Sequence, residues 1–292
     1  MIINDAGEYT LKYTATDACG NSTVVERGLT VEAPPTYRTV LYTDGTFIIN
    51  ESSRDEAANV AAHGQPTNVY IPFNPNGETN EEKYIFSGIT QRPWNNERSS
   101  ILSVKIGSQI QPTDTSNWFR SLSNVASISL TNLDTSNVTS MSHMFRECWK
   151  LESLDFGNSF NTSNVENMSY MFDECSILVD LDLSGFNTSS VTTMYYMFGA
   201  CRLITSLDLS SFDTSNVTST GYMFNLCTAL KTIYVSNNFN TTQVTTSTSM
   251  FSSCTNLVGG SGTVWSDSNP RDKTYAHIDG GVSDPGYFTA KS

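Results

Sequence analysis

The sequence is short of basic residues and has no long apolar run. Lysine and arginine together number 16 against 29 aspartates and glutamates, a formal net charge of −13. A chain with so few cations has little with which to neutralise phosphates, which argues against nucleic acid and disfavours anionic lipid as partners. No apolar segment reaches the roughly 18 residues that a membrane span requires, so no membrane insertion is expected. The start, Met1-Ile2-Ile3-Asn4-Asp5, lacks the basic and apolar regions of a signal peptide, and no cell-wall sorting signal ends the chain. Histidine is scarce: His63, His143 and His277 lie far apart. No Gly-x-Ser-x-Gly, His-Glu-x-x-His, phosphate-loop or dinucleotide fingerprint occurs. The expectation is a protein that is not an enzyme, although its Asp/Glu pairs leave glycoside hydrolysis open on composition. Cys-x-x-Cys pairs are also missing, and no histidine stands at ligand spacing from a cysteine, which argues against a zinc site.

What the sequence does contain is one phrase written five times between Leu133 and Trp265. Cys148, Cys175, Cys201, Cys227 and Cys254 recur at intervals of 27, 26, 26 and 27. Val138, Val165, Val191, Val217 and Val244 keep the same intervals, as do Phe145, Phe172, Phe198, Phe224 and Phe251. A fixed period in this range marks a solenoid, in which single copies cannot bury a core and must stack. In the first half of each copy the apolar positions (Val138, Met141, Met144, Phe145, Cys148) fall on one face of a helix, with Ser136 or Asn137 placed to cap it. The second half alternates from Leu154 through Asp155 to Phe156, as a short strand does. Helix followed by Leu-x-x-Leu-x-Leu is a leucine-rich-repeat plan. The fold expected is therefore an α/β repeat solenoid of about six turns, since Trp118-Phe119 stands one period before Met144-Phe145, with Leu122 in place of the cysteine.

The long motif Asn/Asp-Thr-Ser-Asn-Val-Thr-x-Met-x-x-Met-Phe-x-x-Cys, followed by Leu-x-x-Leu-Asp-Leu-Ser-x-Phe, resembles the BspA-like leucine-rich-repeat surface proteins over residues 113–265. Arg92-Pro93-Trp94, Ser103-Val104-Lys105-Ile106-Gly107 and Gly286-Tyr287-Phe288-Thr289 extend the likeness into the flanks. The resemblance implies an extracellular array used for adhesion or recognition, and it carries over no catalytic residue.

Four regions follow. Residues 1–34 read as a β-hairpin and linker, with Tyr9, Leu11, Tyr13 and Ala15 on one face, a turn at 17–21, and Pro34-Pro35. Tyr-Thr-Ala-Thr-Asp-x-x-Gly-Asn resembles the last strands of a bacterial Ig-like, HYR-type domain. Residues 35–112 read as β-rich: a hairpin through Asp44-Gly45 suited to a type I′ turn, a short helix at 56–62, and strands at 84–86 and 101–106. The array occupies 113–265. Its last copies degrade, with Thr220 and Ser247 replacing methionine, and residues 266–292 read as a cap over the final open rung.

The cysteine column reads as stacked buried thiols, because parallel Cβ vectors suit a disulfide poorly; Cys19 lies in the hairpin turn. The threonine columns (Thr135, Thr162, Thr188, Thr214, Thr241) read as turn-to-turn hydrogen bonding. The candidate ligand-binding residues face outward from the strands: Asp155, Asp180, Asp182, Asp208 and Tyr234. Asp155, Asp182 and Asp208, stacked about 5 Å apart, would repel one another by roughly 1 kcal/mol per pair in water. Such a row would recruit Ca²⁺ or hydrogen-bond a polyhydroxyl ligand; otherwise no cofactor is expected. The expected partner is a host or bacterial surface protein or glycan. The rival expectation is a structural phage virion component, docked to other virion subunits or an upstream domain through residues 1–34. Both place the chain outside a cell, on a bacterial surface or a virion.

Overall fold

The computed structural model describes residues 7–16, 22–31, 37–52, 55–70 and 95–291. Strands β1 (Gly7–Thr16) and β2 (Ser22–Val31) form an antiparallel two-stranded sheet in register from Gly7↔Val31 to Thr16↔Ser22. This is the expected hairpin. Its turn, with Cys19, lies outside the described residues, as do the strand read at 84–86 and Arg92-Pro93-Trp94.

A second hairpin joins β3 (Tyr37–Tyr42) and β4 (Thr46–Ser52). Its turn is not type I′, which needs positive φ at two residues. Gly45 carries the turn's positive φ, +82°, and its N–H closes the turn on Tyr42 at 3.0 Å. That is a type I turn followed by a glycine bulge. The helix α1 (Glu56–His63) follows, then β5 (Pro66–Tyr70), which pairs antiparallel with β3.

The repeats begin beyond β6 (Ser103–Ile106). β4 pairs parallel with β6, β6 with β7 (Ser127–Ser129), and β7 with β8 (Ser153–Asp155). The N-terminal sheet thus runs directly into the repeats, in the order β5-β3-β4-β6-β7-β8. A third sheet stacks β9 (Ser206–Leu209), β10 (Thr232–Val235) and β11 (Phe288–Ala290), all parallel. Each repeat is one coil; coils 1 to 6 are numbered here by Leu122, Cys148, Cys175, Cys201, Cys227 and Cys254. The chain is strand-rich, with a parallel sheet of repeated strands. No helix among the described residues is long and apolar enough to cross a membrane.

The half of each coil expected as a helix is not one. It is a run of tight turns whose N–H groups alternate in direction. In coil 2 the N–H groups of Met141, His143, Phe145 and Glu147 donate to Asn167, Ser169, Met171 and Asp173 of coil 3 at 2.8–2.9 Å. Those of Met144, Arg146 and Cys148 close turns on Met141, His143 and Phe145, each at 3.2 Å. An α-helix would have used every such group within its own chain. Residues in left-handed backbone make the difference, among them His143 (φ 60°) and Glu147 (62°). Twelve non-glycine residues of the array share this conformation, two in each coil. Each costs roughly 1–2 kcal/mol for an L-residue, offset by bonds to the neighbouring coil. The period of the apolar positions survives because turns of three bring the same residues inward. Val138, Met141, Met144, Phe145 and Cys148 are all fully buried.

The core is a set of columns. Phe119, Phe145, Phe172, Phe198, Phe224 and Phe251 stack ring on ring at 5.5–5.9 Å. The thiols of Cys148, Cys175, Cys201, Cys227 and Cys254 are free and buried, and each donates to a phenylalanine carbonyl of the preceding coil at 3.0–3.3 Å. Burial pushes the pKa of Cys175, Cys201, Cys227 and Cys254 up, to about 12 for Cys227, so these thiols remain protonated. Buried threonines bridge the coils as expected: Thr162 Oγ1 donates to the Asn187 carbonyl at 2.9 Å and accepts the Asn187 N–H at 2.8 Å. Thr135, Thr188 and Thr214 repeat the pattern. The expected helix cap is instead an Asx turn. Asp134, Asn161, Asn187, Asp213 and Asn240 each accept the N–H two residues on. At the C-terminal end Tyr287 and Phe288 meet Phe251 edge-on, at 5.1 and 5.9 Å, and end the stack.

Candidate functional site

Each coil presents two walls: a strand wall carrying the expected ligand residues, and a turn wall. On the strand wall Asp155, Asp182 and Asp208 each close their own turn, accepting the N–H of Gly157, Ser184 and Ser210 at 2.9, 2.9 and 3.1 Å. The second oxygen of Asp155 accepts from Ser129 and Thr131. That of Asp208 is paired with Lys291, whose ammonium lies 6.0 Å from the Tyr234 ring centre. The C-terminal strand therefore engages both Asp208 and Tyr234. Burial would raise the pKa of Asp208, but Lys291 and Ser210 hold it below the usual carboxylate range. Asp182 is also held low, by the hydroxyl and N–H of Ser184. Asp180 is exposed at the corner of coil 3.

The carboxylates do not form the continuous row expected. Coil 3 has no assigned strand between β8 and β9, and residues 180–183 pair with neither. Asp155 and Asp182 both line the opening there, while Asp208, whose charge also acts on Asp182, and Tyr234 belong to the sheet of β9, β10 and β11. Among the described residues no group of three or more His, Cys, Asp or Glu side chains is placed to hold a metal ion.

At this interruption the wall opens into a hollow of about 400 Å³. Phe156 stands where the other coils carry Leu130, Leu183, Leu209 and Val235, all buried. Its larger ring reaches Phe172 and Phe186 of coil 3, at 6.5 and 5.1 Å, beside the place where the strand ladder is interrupted. Coil 2 also carries one more residue than coil 3 between this position and the next phenylalanine, Phe160. The additional length is accommodated by Gly157, at φ +67°, where a Cβ would stand 2.5 Å from Thr131 Cα. Phe156 and Phe160 are only half-buried, with ring centres 4.6 Å apart. The hollow thus joins three phenylalanine rings and Leu154 to the carboxylates of Asp155 and Asp182.

The turn wall carries residues that sequence reasoning missed. His143, Tyr170, Tyr196 and Tyr222, all in left-handed backbone, stack face to face at 4.6, 5.0 and 4.5 Å. Tyr195 lies across them at 68–73° and packs over Gly221. Below the column Arg146 Nε donates to Asp173 at 2.9 Å, and Arg120 pairs with Glu147 at 3.5 Å. Burial pushes Asp173 up to about 7, against the pull of Arg146. Burial and the Arg120 and Arg146 charges hold His143 down to about 4, so it is neutral at physiological pH. A signal was present: Tyr170, Tyr196 and Tyr222 recur at the array's own period. A helical reading assigns that position to solvent and gives it no neighbours.

A protein-family model described as "Mycoplasma protein of unknown function, DUF285" matches residues 113–233 and, in a second alignment, 155–265. Together the matches span 113–265, more than half of the 292 residues. The chain belongs to this family. The DUF285 match coincides with the coils and leaves out both hairpins. No curated protein and no solved structure matches the chain. The family description assigns no activity.

Proposed function

We propose that this chain is a non-enzymatic, surface-exposed recognition protein, and that its coils form a solenoid whose strand wall binds a surface protein. The observation that carries this reading is the hollow between coils 2 and 3. Half-buried aromatic rings beside two carboxylates, in a break of an otherwise regular ladder, suit an apolar stem bearing a positive charge. A lysine or arginine side chain of a partner protein has that form, and the net charge of −13 favours a basic partner. The resemblance of the repeats to BspA-like surface proteins supports the same role. The test is surface plasmon resonance of the whole chain against host matrix and cell-surface proteins. Phe160→Ala is expected to weaken binding about thirtyfold, as loss of an aromatic anchor does, and paired Asp155→Asn and Asp182→Asn about tenfold. Wild-type affinity in both variants would remove the hollow as the anchor.

One observation favours a second reading, a structural subunit of a virion or other assembly. Among the described residues β1 and β2 pair only with each other, and a lone hairpin is marginal in water. Docking onto another chain would supply the missing partner. A size measurement separates the readings: an obligate oligomer supports the second, and a ligand-binding monomer the first.

A further inference from the structure

A second concavity lies on the turn wall. One turn-wall column runs Arg120, Arg146, Asp173, Gly199, Asn225, Ser252, one residue per coil. Gly199 interrupts it. The bare backbone lets Asp173 lean into coil 4, and a Cβ at Gly199 would meet Asp173 Oδ1 at 2.5 Å and the Tyr196 ring at 2.8 Å. Asp173 is 4% exposed. Its Oδ2 accepts from Arg146 Nε at 2.9 Å. Its Oδ1 accepts no hydrogen bond among the described residues and faces the gap at Gly199. That oxygen keeps spare acceptor capacity for a donor from outside the chain.

The gap opens into a notch of about 470 Å³. The Tyr170, Tyr195 and Tyr196 side chains line it together with Arg146, Glu174, Arg202 and Asn225. Arg202 is exposed and pairs with no carboxylate among the described residues. The Asn225 amide donates only a long bond, 3.5 Å, to Ser252. Acceptors, an amide, two guanidiniums and tyrosine side chains therefore line one shallow space, with only Ala200 and Leu226 as apolar lining. An apolar protein anchor finds no pocket here, and Arg146 and Arg202 set against Asp173 and Glu174 give the notch no strong preference for a ligand of either charge. A polyhydroxyl ring fits: its hydroxyls donate to Asp173 Oδ1 and Glu174 and accept from Arg202 and Asn225, while its C–H groups meet the tyrosine edges that the stack leaves open.

We propose that this notch is a carbohydrate subsite holding one pyranose residue of a glycan, separate from the hollow on the strand wall. The experiment is a printed glycan array probed with the whole chain, followed by calorimetric titration with the best soluble oligosaccharide. Paired Asn225→Ala and Arg202→Ala is expected to lower affinity at least about tenfold with an unchanged melting temperature. Gly199→Ala, which fills the gap, is expected to abolish binding; should it fail to fold, the paired variant decides. Phe160→Ala, on the other wall, is expected to bind the glycan as wild type does, which keeps the two sites distinguishable. No signal on the array, or wild-type affinity in the paired variant, would overturn the proposal.

Discussion

The two walls of the coils are built from the same repeats and behave differently. The turn wall is continuous: bridges link Asp114, Ser140, Asn167, Thr193, Ser219 and Thr246 without a break. The strand wall is split between β8 and β9. On the turn wall, registry is enforced many times over, by left-handed residues that aim N–H groups along the stack and by thiols bonded to the preceding coil. On the strand wall, each rung is three or four residues long and depends on one aliphatic side chain fitting its neighbour. Phe156 is larger than its counterparts, and the ladder is interrupted beside it. One wall holding the stack leaves the other free to depart from it, and the departure makes a cavity.

The largest expected effect tests the shared spine. Phe172→Ala removes ring stacks of 5.5 and 5.7 Å in a fully buried column and should cost about 3–5 kcal/mol in chemical denaturation. Phe160→Ala, half-buried on the strand wall, should cost well under half of that. Equal losses would break the distinction between a wall that carries the stack and one that does not.

Next comes the cap. Asp279 Oδ1 and Oδ2 accept from Ser261, Thr263, Gly281 and Gly286 N–H groups and from the Thr263 hydroxyl. Burial acts to raise its pKa, but these donors outweigh it and hold the carboxyl well below the usual range. Asp279→Ala should cost about 2–3 kcal/mol at neutral pH, the scale of hydrogen bonds to a charged group. Since the folded pKa lies below the unfolded one, this stability is present above roughly pH 4 and is lost as pH falls further. Melting curves of wild type and variant should therefore converge in acid. Parallel curves would show that Asp279 does not hold the cap.

Phe156→Leu restores the side chain found in coils 1, 3 and 4. It should change stability by less than about 1.5 kcal/mol. It should also close the gap, giving slower amide hydrogen exchange at residues 180–183. Unchanged exchange there would mean that the ring does not hold the gap open. The smallest effect is a pair of opposite signs. Ser253 sits at φ 61°, so Ser253→Gly should stabilise by about 0.5–1 kcal/mol. Ser153, in β8, should lose a similar amount on Ser153→Gly. Matching signs would show that backbone strain does not separate the walls.

Much of this was legible in the sequence, because burial follows periodicity. The phenylalanine, methionine and cysteine columns, the bridges from Thr135, Thr162, Thr188 and Thr214 and both hairpins appear where the pattern put them, while Thr241 makes no such bridge among the described residues. The repeat helix was misread for a physical reason. Turns of three and a helix of 3.6 residues bury the same short set of apolar positions, and sequence spacing cannot tell which way each N–H points. The carboxylate row was misread because one strand position in each coil looks equivalent on paper. Asp155 and Asp182 share a hollow, whereas Asp208 is paired with a lysine 83 residues away.

What the sequence determined unaided is the period, the identity of the buried columns and the need for coils to stack, since a repeat too small to bury its own core must lie against a copy of itself. Only the tertiary structure decided where the stack departs from its repeat. Each departure depends on neighbours in the next coil: a ring larger than its counterparts at Phe156, a side chain missing at Gly199. These effects act across coils, through space rather than along the chain, so they exist only once the coils have met.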